Sequence, residues 1–112
     1  MLVLTLFEKV NRELQLSQPD FLTYYNDTVS EIVNLYGEPL TLDGNPLEIC
    51  DSLYEEMCID DAYADSVTDN ILYLADTSNS ARKSEFLRKS KNAFNRLWSR
   101  RARNLKFRRR RR

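Results

Sequence analysis

The sequence predicts a mainly α-helical protein: a compact four-helix domain that ends in a long C-terminal helix and a basic tail. Apolar side chains recur at intervals of three, four and seven residues through most of the chain, which is the period of amphipathic helices. The length of 112 residues suits one domain with one modest core. Turn-forming residues interrupt the helical period in the middle of the chain. We therefore expect a short β-like hairpin or extended excursion between helices two and three.

The first two helices follow from their apolar stripes. Residues 5–16 predict a short amphipathic helix, whose stripe consists of Leu6, Phe7, Val10 and Leu14. Ser17 can cap a second helix, in whose first turn Pro19 is tolerated. The second stripe runs from Phe21 to Tyr36, and Gly37 then favours a helix end.

The central segment has weaker signals. Asp43-Gly44 is typical of a hairpin turn. Pro46 has no N–H group, which restricts strand pairing here to an edge or to the far side of a loop. Residues 50–59 leave two alternatives open, one helical turn or an approach to the next helix. The two cysteines, Cys50 and Cys58, are expected to be small buried hydrophobic residues in a reducing compartment rather than a disulfide.

Helices three and four are predicted to be antiparallel neighbours, because only a short polar turn separates them. The acidic pair at residues 60–61 suits the start of helix three, which should end near Asp76. Asn79 or Ser80 can cap helix four, and Trp98 lies on its apolar stripe, which favours core packing. We expect helices two, three and four to supply the core, with these residues largely buried: Tyr25, Val29, Ile32, Ile71, Leu74, Phe94 and Leu97.

The net charge of zero hides a division between the two parts of the chain. Residues 1–81 carry two bases and 16 acids, a net charge of −14, whereas residues 82–112 carry 15 bases and one acid, a net charge of +14. Such asymmetry indicates a charged partner surface or self-association. We expect a domain at residues 1–107 and a disordered arginine tail at residues 108–112, because five adjacent like charges repel one another.

The composition speaks against an enzyme, a cofactor or a metal centre. The chain has no histidine, and its two glycines cannot form a glycine-rich phosphate loop. Asp65 and Asp69 share a helix face, but a solvated acidic face, or one paired with bases, is a simpler interpretation than a cation site. We expect that replacing both by asparagine leaves the fold intact and reduces like-charge repulsion. No apolar run approaches the roughly 18 residues of a membrane span.

The candidate partner-binding or DNA-binding residues lie at the basic end of the chain. Arginine runs are typical of segments that bind phosphates or acidic proteins, although such a run can also serve solubility alone. Phe107 lies off the apolar stripe and is free to stack on a base. The candidates are Arg100, Arg101, Arg103, Lys106, Phe107, Arg108, Arg109, Arg110, Arg111 and Arg112.

Several stretches together resemble the small head–tail connector (adaptor) proteins of tailed bacteriophages. They are a capped helix ending Leu-Tyr-Gly-Glu at residues 35–38, a central excursion, and Tyr-Ala-Asp-Ser-Val-Thr-Asp-Asn-Ile-Leu-Tyr-Leu at residues 63–74. The next block adds Phe86, Lys89, Phe94 and Leu97-Trp98 before a basic end. The likeness covers most of residues 5–107, and the five terminal arginines are not part of it.

The resemblance implies a structural virion protein. It would form a ring of identical subunits, expected to be dodecameric, below the portal protein, with genome DNA in the lumen and tail or neck completion proteins as further partners. Its place would be the head–tail neck, and the host cytoplasm during assembly, with no membrane and only non-specific contact with DNA. The alternative is a small nucleic-acid-binding regulatory protein that uses the basic helix and tail on phosphates.

Overall fold

A computed structural model describes residues 1–36 and 49–110, with side chains described as far as Ser99. It contains α1 (Val3–Asn11), α2 (Gln18–Tyr36), a 3₁₀ helix (Asp61–Tyr63), α3 (Ala64–Ala75) and α4 (Ser80–Arg110). The prediction of a mainly helical protein with four helices and a long last one is therefore confirmed. The expected hairpin lies almost entirely outside the described residues.

Helix α1 begins two residues earlier than predicted and ends five residues earlier. The first amides of a helix lack partners within it, and here the N–H groups of Val3 and Leu4 donate to the carbonyls of Glu55 and Leu53, at 2.9 and 2.7 Å. The helix can therefore start at Val3. At its other end, the Asn11 side chain accepts a hydrogen bond from the N–H of Leu16, so a turn replaces the predicted final helical turn.

Helix α2 starts with the predicted cap, and the acidic residue predicted near the start of α3 caps the 3₁₀ helix that precedes it. Ser17 Oγ accepts a hydrogen bond from the N–H of Asp20, at the start of α2. Asp60 accepts one from the N–H of Ala62 at 2.9 Å, which opens the 3₁₀ helix and leads directly into α3. Helix α3 ends at Ala75, as its apolar period predicts.

An irregular segment at residues 49–60 is fixed to α2 and α1. The Asn26 side chain both donates to the carbonyl of Cys50 and accepts from its N–H, each at 2.9 Å. The Glu55 carboxylate accepts from the N–H groups of Asp51 and Ser52. These bonds hold an exposed stretch of backbone in one conformation without a helix or strand.

The core draws on more of the chain than the sequence predicts. Tyr25, Val29, Ile32 and Ile71 are buried as expected, whereas Leu74, Phe94 and Leu97 are only half-buried. The core also includes side chains from α1 and from the segment before α3. These are Val3, Leu6, Val10, Leu53, Met57, Ile59 and Tyr63.

The prediction that Trp98 packs in the core is wrong, because its side chain is 61% exposed. Helix α4 packs mainly on α3, which has 12 residues against 31 in α4. At 1.5 Å per residue these lengths are about 18 and 46 Å, so α4 outruns its partner. Leu97 is the last described residue of α4 to pack against the core. From Trp98 onward, α4 extends past the helix that it packs against.

Candidate interaction surface on helix α4

The first half of α4 is fixed to the body through the carboxylate of Asp69. This side chain on α3 is only 6% exposed and accepts from Arg82 Nη1 at 2.9 Å and Lys89 Nζ at 2.7 Å. Arg82 also pairs with Glu13, near the end of α1. One buried acid therefore binds two bases of α4, two helical turns apart, and sets the position of α4 along α3.

A second polar network joins α2, α3 and α4. The buried Asn70 side chain donates to Thr28 Oγ1 at 2.9 Å and accepts from Lys83 Nζ at 3.2 Å. Lys83 also pairs with Glu31 on α2 and lies over the ring of Phe86, 4.8 Å from its centroid. Because each buried polar group here has a partner, the network fixes the relative position of the three helices.

Asp65 and Asp69 both form ion pairs with bases of the same chain. Asp65 receives Lys9 Nζ at 2.6 Å, and this hydrogen bond and charge lower the pKa of the Asp65 carboxyl. The expectation that such acids pair with bases is therefore confirmed within one chain. The expectation that replacing both leaves the fold intact stays a prediction. For Asp69 the structure favours a loss of stability, because the substitution would leave Arg82 and Lys89 without their shared carboxylate.

Among the described residues, ion pairs within the chain involve only some of the charged side chains. Residues 1–99 carry eight bases and 17 acids, a net charge of −9, and residues 100–112 carry nine bases and no acid, a net charge of +9. Within the first part, four bases of α4 form ion pairs: Arg82, Lys83, Arg88 and Lys89. The ion pairs of α4 therefore leave a negative body attached to a positive helix end.

Lys91, Arg96 and Trp98 form the described part of the candidate surface, and all three are exposed. Neither base forms an ion pair with any residue that the structure describes. Arg96 lines an open cleft of about 290 Å³ that also includes Arg88, Lys89 and Asp65. Since those three neighbours are already paired, Arg96 supplies the uncompensated charge of the cleft.

The predicted site residues lie beyond this point. The backbone of Arg100, Arg101, Arg103, Lys106, Phe107, Arg108, Arg109 and Arg110 belongs to α4, but their side chains lie outside the described part. Arg111 and Arg112 lie outside it altogether. Helix α4 thus includes three of the five arginines of the predicted tail, whose disorder in the free protein stays a prediction.

Sequence reasoning missed a second exposed aromatic residue, Tyr54. Its side chain is 76% exposed and lies in the irregular segment between Asp51 and Glu56. The signal available in the sequence was a tyrosine close to the acidic residues Asp51, Glu55 and Glu56. The hydrophobic period did not reveal it, because residues 50–59 fit two structures equally well.

Neither cysteine forms a disulfide in the part of the chain that the structure describes, and both are half-buried. Burial, followed by the hydrogen bond with Glu55, raises the pKa of Cys50 to about 11. Burial beside both thiols also raises the pKa of Tyr25. Cys50 is therefore protonated near neutral pH and a weak nucleophile.

Residues 1–36 and 49–110 contain no group of three or more acids or cysteines placed to hold a metal ion. Within the same ranges, no helix is both long enough and apolar enough to cross a membrane.

Comparison with known proteins adds no relative. No protein-family model, no curated protein and no solved structure matches the chain. The resemblance to phage connectors therefore rests on the residues and element order given above.

Proposed function

We propose that this chain is a structural protein of a phage virion, a head–tail connector (adaptor). It forms a ring below the portal, genome DNA passes through the ring, and tail or neck proteins assemble on it. The observation that carries the proposal is the division of formal charge along the chain, −9 on residues 1–99 and +9 on residues 100–112. A ring of identical subunits needs two different surfaces that fit each other, and opposite charges provide such a pair.

The architecture is consistent with this role. The body is a small helical domain in which buried ionic contacts hold α4 in place. The end of α4 follows Leu97, the last described residue that packs against the core, and in this proposal it meets a neighbouring molecule. Electrostatic complementarity supports association rate and register more than affinity, so an apolar contact such as Trp98 is needed as well.

The partners follow from the proposal. They are further copies of the chain in a ring, with twelve expected, then the portal protein, then tail or neck completion proteins. Contact with genome DNA would be non-specific and made by arginines on the lumen side. The role is structural rather than catalytic, in the virion neck after assembly in the host cytoplasm.

The exposure of Trp98 favours one other candidate, a small nucleic-acid-binding regulator. An exposed aromatic ring among bases is typical of surfaces on which nucleobases stack. In that case α4 would bind phosphates as a monomer or dimer, and the acidic body would bind another protein. This candidate assigns the basic end of α4 to nucleic acid and the acidic body, with the exposed Tyr54, to the protein partner.

Native mass spectrometry of the full chain, with and without duplex DNA, separates the two candidates. The connector proposal predicts a closed assembly of one high copy number that does not need DNA. The regulator predicts a monomer or dimer that binds DNA at physiological salt. Deleting residues 108–112 supplies a further test. If all five arginines contact phosphates, the log–log salt slope of DNA binding falls by roughly four to five units, at about 0.9 per phosphate.

A further inference from the structure

Two large aromatic side chains lie outside the core in surroundings of opposite charge. Tyr54 is 76% exposed and Trp98 is 61% exposed, so neither is buried against the other within one chain. Exposed aromatic residues surrounded by charges are typical anchors of protein–protein interfaces. The fold of one chain does not explain why both rings are exposed.

The surroundings of Tyr54 are acidic and ordered. Asp51, Glu55 and Glu56 are exposed beside it. The backbone here is held by the paired hydrogen bonds between Asn26 and Cys50, and by the Glu55 carboxylate. A partner can bind such a surface without first ordering it, which lowers the entropic cost of association. Residues 51–56 are called the Tyr54 surface below.

The surroundings of Trp98 are basic and extend past the body. Leu87 and Lys91 precede it by three and two turns of α4, and both are exposed. Arg101 follows three residues later in the same helix. Residues 87–101 of α4 are called the Trp98 surface below. Its combination of an exposed tryptophan, an exposed leucine and two exposed bases without a described ion pair, Lys91 and Arg96, complements the Tyr54 surface in charge and matches it in apolar character.

The geometry points to a contact in which the Trp98 surface of one copy docks on the Tyr54 surface of the next. This inference rests on the proposed ring and names the two faces that would meet in it. A second copy is favoured over nucleic acid, because a polyanion would complement the Trp98 surface alone. The two surfaces differ, so the contact is heterologous, and repetition gives a ring if the rotation closes and an open chain if it does not.

Charge reversal on each surface tests the contact in the full chain. The first variant carries Asp51→Lys. It spares Glu55, whose carboxylate holds the backbone, and Glu56, whose carboxylate pairs with the Met1 ammonium at 2.8 Å. The second carries Lys91→Glu and Arg101→Glu. The control carries Glu8→Lys, which changes net charge as the first variant does at an exposed position elsewhere. Circular dichroism confirms that each variant is folded before its mass is measured.

The result expected from sedimentation velocity is assembly of the natural chain and of the control, and self-association on the order of a hundredfold weaker for either variant alone. An equal mixture of the two variants should assemble again, because each reversed surface then meets its complement. Assembly of both variants at natural strength, a mixture that stays monomeric, or a natural chain that is monomeric at its highest soluble concentration would each overturn the inference.

The outcomes also separate this contact from the proposed function. Open chains of subunits that respond to the charge swap would support the contact and contradict a connector ring. A closed ring that is indifferent to the swap would support the connector and overturn the contact.

Discussion

Replacing Asp69 by asparagine tests how helix α4 is held on the body. The carboxylate is 6% exposed, and its two partners, Arg82 and Lys89, are 31% and 34% exposed. Removing one partner of a fully buried ion pair costs roughly 3–5 kcal/mol. Here water reaches both cations, and the asparagine oxygen can still accept one hydrogen bond. We therefore expect Asp69→Asn to lower the free energy of unfolding by about 2 kcal/mol, or roughly 8 °C in Tm for a chain of this length.

The assay is equilibrium urea unfolding followed by circular dichroism. The matched control is Asp65→Asn, on the same helix, because its carboxylate is 69% exposed and pairs with the exposed Lys9. An exposed pair contributes about 0–1 kcal/mol, so the control should lose much less than Asp69→Asn. High salt should reduce the effect of the control more than that of Asp69→Asn. Equal small losses, or a gain in stability for Asp69→Asn from relieved repulsion, would refute this account of the network.

Three further predictions concern single side chains. Phe86 is fully buried and Phe94 only half-buried, so Phe86→Ala should cost about 3–5 kcal/mol and Phe94→Ala clearly less in urea unfolding; equal costs would contradict the described core. Lys9→Ala should raise the pKa of the Asp65 carboxyl towards its ordinary value in an NMR titration. Because folding lowers the pKa of Asp65, the stabilisation from Asp65 is present above its unfolded pKa and is lost as pH falls through its folded pKa. An unchanged titration of Asp65 in Lys9→Ala would show that the pair does not form in solution. Cys50, with a pKa of about 11, should react with a thiol reagent at pH 8 much more slowly in the folded than in the unfolded chain, and similar rates would contradict its burial.

Local signals in the sequence predicted the elements that depend on a few neighbouring residues. Ser17 and Asp60 accept hydrogen bonds at the starts of their helices as cap residues do. The helical periods of α2 and α3 identified Tyr25, Ile32 and Ile71 as core. Each of these features depends on residues that are a few positions apart in the sequence, so a local sequence pattern is enough to predict it.

Features that depend on a distant part of the chain could not be predicted in this way. In the sequence, Asp69 cannot be distinguished from other acids on a helix. Its role depends on Arg82 and Lys89, which α4 places beside it. Trp98 fits the apolar period, but its exposure depends on where α3 stops supporting α4. The early start of α1 depends on carbonyls near Glu55, about 50 residues away in sequence. In each case the deciding partner comes from another element, which a periodic pattern does not show.

In the proposed function, the end of α4 serves assembly and not the fold. A chain that stops at Ser99 keeps every core residue that the structure describes and loses the nine bases of the +9 end. Native mass spectrometry of this truncated chain beside the full one tests the claim directly, with urea unfolding to verify that both are folded. We expect the full chain to assemble, and the truncated chain to unfold with a free energy within about 1 kcal/mol of the full one and to remain a monomer. A truncated chain that assembles like the full one, or that fails to fold, would contradict the claim.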